Sequence, residues 1–320
     1  MRRRLTVALL WLLGCGESAR EAEARAVAGG GGAGGGGGGQ AHPETCPATP
    51  SARRWDLQAA PFTLEPGSEK LDIAPIQMNN DTPVAVRRFD WNSTPGLHHA
   101  TVNAPVPSLA FAPPIFGVNT LAATMSHSLP CGYGLMLDPQ QVLFASYHYV
   151  NASTTPLTAH IGLTLFTEDP ATLTAAAMMM LVITDFSIPA HAAFSRETVC
   201  TVPDDVTVLS LTSHTHAHGK GVDIYVVGGE QDGRLAYTTD EWDDPPWNDL
   251  DPPLKLKKGE GFRVVCKWFN DTDKEVGFGL TSSNEMCAAI GHYASSRHPM
   301  IGMSSNGAEC TTQYLVPPHP

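Results

Sequence analysis

The sequence predicts an all-β chain, and three observations carry the prediction. Proline (26) and glycine (30) are plentiful, and no long stretch keeps a helical period. In 262-FRVVCKWF-269, Phe262, Val264, Cys266 and Trp268 fall on one face while Arg263 and Lys267 fall on the other. This is the period-2 signature of a half-buried strand. Aromatic and β-branched residues dominate 142-VLFASYHYV-150 and 160-HIGLTLFT-167, and turn-forming clusters at 79-NNDTP-83, 169-DP-170 and 270-NDTD-273 separate such runs. The apolar run 175-AAAMMMLVITDF-186 fits either a helix or a buried strand. Its methionines read as core filler, because thioethers pack well in irregular gaps.

Length and charge bound the function. The 320 residues suffice for two ordinary domains, and 42% hydrophobic against 16% charged residues allows a sizeable core. A net charge of −12 argues against nucleic acid as a partner, since phosphate binding needs a basic surface.

From the N-terminus, Arg2, Arg3 and Arg4 precede the apolar run 5-LTVALLWLL-13, which reads as an export signal over residues 1–14. Its end, 12-LLGC-15, resembles the lipobox of bacterial lipoproteins, which implies lipidation of Cys15. The alternative is an ordinary cleaved signal with an incidental cysteine. Residues 15–45 contain 29-GGGGAGGGGGG-39, a flexible tether with no side chains to bury. A lipid-anchored envelope protein follows, held to the membrane through its lipid alone and facing the periplasm or exterior. Gly16 stands where an Asp can signal inner-membrane retention, so the outer membrane is favoured. Folding is expected from about Cys46, with a boundary at residues 168–174 that gives domains 46–170 and 171–320.

Besides Cys15 there are six cysteines, an even number that suggests disulfides in an exported chain. No CxxC pair occurs, which argues against a zinc ribbon. The loop 240-DEWDDPPWNDLDPP-253 holds five Asp and tandem prolines, which exclude a central strand. It is read as a solvated loop with Trp242 and Trp247 tucked onto the domain, calcium binding through its carboxylates being the alternative.

The histidines point to chemistry. In 211-LTSHTHAHGKGV-222, His214 and His216 share strand parity and so face one side together, half of a metal site. His218 is read as a neighbour, because Gly219 turns the chain. In 96-GLHHATV-102, His98 and His99 are adjacent, so joint ligation needs a twist or bend, which Pro95-Gly96 makes available. His148, in 146-SYHYVN-151, is a third donor from another strand. An ordinary polar face remains the plainer reading for any one of these alone.

With 283-SNEMCAAIGHY-293 the ordered series His98-His99, His148, 214-HTHAHG-219, 259-GEGFRVVCKWFN-270 and 285-EMC-287 resembles the copper type II, ascorbate-dependent monooxygenases. The resemblance spans most of residues 60–310. It implies two tandem antiparallel β-sandwich, jelly-roll-like domains and two copper ions. His98, His99 and His148 would hold the electron-storing copper. His214, His216 and Met286 would hold the catalytic one, where O2 and a C–H substrate react with electrons from ascorbate or an equivalent donor. A thioether favours Cu(I) over zinc, which suits that role. The family pattern further implies the disulfides Cys200–Cys310 and Cys266–Cys287, leaving Cys46 and Cys131 to pair. Where the peptide-amidating members carry an Arg and polar or phenolic groups, this chain has Thr212, Ala288 and Ile290. The expected substrate is therefore small or hydrophobic rather than a peptide carboxylate, with His292 and Tyr293 near enough to contribute. The alternative function is a non-catalytic copper-binding lipoprotein for copper handling or sensing.

Overall fold

A computed structural model of the chain describes residue 46 and residues 50–104, 114–118, 124–281, 283–294, 300–304 and 309–314. The export signal, Cys15 and the glycine tether lie outside these residues.

The described chain is β throughout, apart from two short 3-10 turns at Pro170–Thr172 and Gly229–Gln231. In the first half, a sheet containing Val84–Asn92, Tyr133–Leu137 and Gly162–Glu168 packs on a four-stranded sheet ordered Glu69–Gln77, Val142–Val150, Leu97–Asn103 and Pro114–Val118. Val86, Phe89, Trp91 and Leu165 from the one meet Leu97, Val102, Leu143 and Tyr149 from the other in a single core. In the second half, Thr174–Ile183, Ala288–Ala294 and Val206–His214 form one layer, and Ala192–Thr201, Gly261–Asn270 and Gly219–Val227 the other. Their core holds Met179, Leu181, Val208, Ile224, Phe262, Val264, Cys266 and Trp268. The alternation expected for residues 262–269 is what seats that last series inward.

The ambiguous run after residue 174 is a strand, Thr174–Ile183. Its alternation splits the methionine triplet. Met179 enters the second core, while Met178 and Met180 face the opposite side with Val182, Ala288 and Ile290. The acidic segment is in part a strand too: Asn248–Leu256 pairs with Val206–His214 and with no other strand among the described residues. Reading all of 240–253 as loop is therefore corrected. Pro252 and Pro253 are accommodated because they fall in the register gap between Ser210↔Asp249 and Val208↔Leu254 on an edge strand, where no ladder N–H is required.

The two halves are joined by more than their linker. Thr174–Ala176 pairs in parallel with Tyr133–Leu135. A bulge between Val208 and Ser210 leaves Leu209 as the extra residue, and Leu209 is buried in the first core together with Ala176. Disulfides link Cys46–Cys131, Cys200–Cys310 and Cys266–Cys287.

Gly96 fixes the entry to the Leu97–Asn103 strand. It has φ +104°, and a Cβ there would lie 2.7 Å from the Val150 carbonyl oxygen. Its own carbonyl accepts from Val150 N–H at 2.8 Å. Gly96→Ala is expected to destabilise the fold by about 1–3 kcal/mol, measured as a lower midpoint in urea with an unchanged slope.

Candidate metal centre

Four histidines assemble from three segments. His99 lies opposite His148 across the Leu97–Asn103 and Val142–Val150 strands, and their ring centroids are 5.4 Å apart. The pairing passes from Leu97↔Tyr149 to His99↔His148, so one extra residue, His98, is accommodated at a bulge. This is the bend that the adjacent histidines required. The His98 side chain lies outside what the structure describes. His148 is 1% exposed, and its Nε2–H donates to the Glu69 carboxylate at 2.8 Å, which assigns the lone pair to Nδ1.

The second pair differs from its expected setting. The strand ends at His214, and His216 stands just beyond it in the turn closed by Gly219 N–H donating to the His216 carbonyl at 2.9 Å. Shared strand parity therefore does not position His216. The turn does, and the rings still lie 5.0 Å apart. Gly219 is required at this turn, because a Cβ would fall 2.2 Å from the Thr215 hydroxyl oxygen. His216 Nδ1–H donates to the Asn284 carbonyl at 2.8 Å, so Nε2 carries the lone pair. Burial pushes this imidazole down to about 4, and it is neutral, as a ligand must be. His218 stands 3.6 Å from Asp271 at the side of the cluster.

Met286 is tied to the same turn. It lies two residues before Ala288, the partner of His214, and its N–H shares the Glu285 carboxylate with the N–H of His216. Met286 is 8% exposed, and the neighbouring Cys287 is tied to Cys266. The arrangement is locked by Glu285, a residue the sequence reading passed over. Fully buried, its carboxylate accepts from His216 N–H at 2.9 Å, His218 N–H at 2.8 Å, Trp268 Nε1–H at 3.1 Å and Met286 N–H at 3.2 Å. Burial pushes the carboxyl up to about 7 against the downward pull of these donors. Glu69 was passed over as well. The Glu-Met-Cys triplet signals Glu285 only as part of a motif, and nothing near Glu69 in sequence signals its link to His148.

An apolar face adjoins this centre. Row by row across three strands, Val182, Ala288 and His214 align, then Met180, Ile290 and Thr212, then Met178, His292 and Ser210. Trp247 and Phe278 pack against it. Thr212 donates to the Pro245 carbonyl at 3.3 Å, so the acidic segment borders this wall. Trp247 stacks on His292 at 4.9 Å and lies 4.4 Å from His127 of the first half. Burial pushes His292 down to about 3. Tyr293 faces the second core instead, which removes it from the candidate substrate contacts.

Among the described residues, no three His, Cys, Asp or Glu side chains converge into a metal-holding group. The donor chemistry is compatible with copper nonetheless. Each expected set contains two adjacent imidazoles, completed by His98 in one case and by a thioether in the other. Imidazoles beside a soft sulfur suit Cu(I) better than a hard cation.

Residues 174–315 match the family model for the copper type II ascorbate-dependent monooxygenase, C-terminal domain. The matched segment spans His214, His216 and Met286. Among solved structures, the chain is similar to the major capsid protein P2 from bacteriophage PM2 at 10% identity and a TM-score of 0.35, covering 80% of this chain and 100% of that one. It is similar to the PBSX exported protein XepA at 10% identity and a TM-score of 0.22, covering 75% and 86%. Likenesses this low carry no functional meaning.

Replacing Glu285 by Ala strands four N–H donors in a dry interior. A loss of about 3 kcal/mol or more is expected, read from denaturant unfolding followed by tryptophan fluorescence. Glu285→Gln, which keeps an acceptor, should fall between the variant and the native protein.

Proposed function

We propose that this protein is a copper-dependent monooxygenase. It hydroxylates a C–H bond of a small or hydrophobic substrate, using O2 and a one-electron reductant of the ascorbate type. The observation that carries this reading is the His214–His216 pair, with rings 5.0 Å apart and Met286 joined to the same turn through Glu285, inside the segment that matches the family. In this reading His214, His216 and Met286 hold one copper and His98, His99 and His148 the other. Bound copper supplies one-electron redox chemistry and O2 activation.

The chain's own residues do the rest. Glu69 and the Asn284 carbonyl hold the tautomers of His148 and His216, so that one ring nitrogen of each can bind metal. Glu285 and the Cys266–Cys287 bridge keep Met286 from drifting away from His216. Met180, Val182, Ala288, Ile290 and Trp247 form an apolar wall that excludes water and receives a hydrocarbon group. Thr212 offers no cation at the place where peptide-amidating members carry an Arg, which supports an uncharged substrate. The signal and lipobox-like motif ending at Cys15, with three disulfides, support an exported, lipid-anchored location.

Copper-loaded protein is expected to show ascorbate-driven O2 uptake that rises with substrate in a panel of phenethylamines, small aromatics and fatty compounds. Met286→Ile should reduce turnover to background while the circular dichroism spectrum is retained. Copper binding without substrate-dependent uptake would favour a copper carrier, and undiminished turnover in the variant would overturn the site. Glu69→Ala should weaken binding of the first-half copper about 10–100-fold, measured by competition with a chelator. Glu69 is 39% exposed, so the fold should survive the change.

A further inference from the structure

The four-stranded sheet of the first half ends on an open edge. Glu69–Gln77 is its last strand, and no strand among the described residues pairs with its outer side. Its register on Val142–Val150 is unbroken, so the direction of each backbone group is fixed. The Ser68 carbonyl accepts from Asn151 N–H, and Met78 N–H donates to the Gln141 carbonyl. Even-numbered residues therefore face the neighbouring strand, and Glu69, Leu71 and Ile73 turn their N–H and C=O groups outward. Ile73 N–H is taken by the Asp72 carboxylate at 2.8 Å.

Edges of this kind are ordinarily blunted by charge, proline or a bulge. Pro75 does so toward the end of the strand, but its start is apolar. Leu71 is 53% and Ile73 44% exposed, and both stand on the face that carries His148, because Leu71 pairs with His148. On the opposite face Lys70 and Asp72 pair at 3.0 Å, with the Lys70 ammonium over the Phe62 ring.

We propose that this edge joins a second copy of the chain, strand to strand, about a two-fold axis at Leu71. Antiparallel pairing there sets Leu71 against the partner's Leu71, Ile73 against the partner's Glu69, and Lys70 against the partner's Asp72. The outward-pointing residues become the hydrogen-bonded positions. Ile73 N–H passes from Asp72 to the carbonyl of the partner's Glu69, and Asp72 meets the partner's Lys70. Charge and backbone select this register. An axis at Lys70 or at Asp72 would set a charge against itself. An axis at Ile73 would set Leu71 against Pro75, which has no N–H to give. The association does not depend on the copper reading, but it reaches the same site. Glu69, 39% exposed and bonded to His148, would be covered by the partner's Ile73. Each copy thus shields the hydrogen bond that orients an imidazole of the other.

The test is sedimentation velocity on the full chain over a range of concentrations. The native protein should show a monomer–dimer equilibrium. Asp72→Lys and Lys70→Asp each bring like charges together twice across the axis, and each should raise the dimer dissociation constant about 10-fold or more. Mixed one to one, the two variants should recover the native value, because every charge then meets its opposite. Leu71→Asp should abolish association. Lys70 and Asp72 are 36% and 48% exposed, so the folds should survive, which circular dichroism checks. A native chain that stays monomeric at every concentration would overturn the proposal and leave the edge to a different partner. A dimer that both charge variants retain, or a mixture that recovers nothing, would overturn it as well.

Discussion

A single buried carboxylate, Glu285, organises the candidate centre. It gathers two N–H groups from the His216–His218 turn, one from Met286 and the indole N–H of Trp268. A carboxylate removed from water is costly unless such donors surround it. The same bonds that satisfy it therefore fix the turn carrying one imidazole to the strand end carrying the thioether. The Cys266–Cys287 bridge repeats this connection covalently one residue away. Where the ligands are soft and few, this outer framework decides whether they meet.

Backbone irregularities do the remaining placement. The bulge at His98 lets an extra residue enter the His99 strand, and Gly96 admits the chain to that strand with a φ that side chains rarely adopt. The bulge at Leu209 turns one side chain out of the second half into the core of the first, and the next residue, Ser210, faces His292. Each bulge interrupts regular pairing beside a functional element rather than at a remote edge, a common use of such features.

One side of the centre is apolar. A neutral His216, a thioether and an apolar wall lie within a chain whose net charge is −12. Pro245 and Trp247 of the acidic segment border the Thr212 and His292 rows, and Asp249 pairs with Ser210 at the edge of the latter. An apolar approach of this kind suits a hydrocarbon group and offers little to a charged one.

By itself the sequence determined the local terms. Alternation in residues 262–269 is a property of neighbouring side chains, so it was legible, as was the all-β class. The adjacent His98 and His99 called for a bend, which the sequence offered at Pro95-Gly96, and the fold supplies it as a bulge at His98. Only tertiary structure decided that the strand stops at His214 and that Pro252 and Pro253 fit an edge strand. It alone decided that Glu285 spends its oxygens on backbone N–H groups and that His99 touches His214. Backbone donors leave no mark in a residue pattern, and a contact between two halves exists only once both have folded and docked.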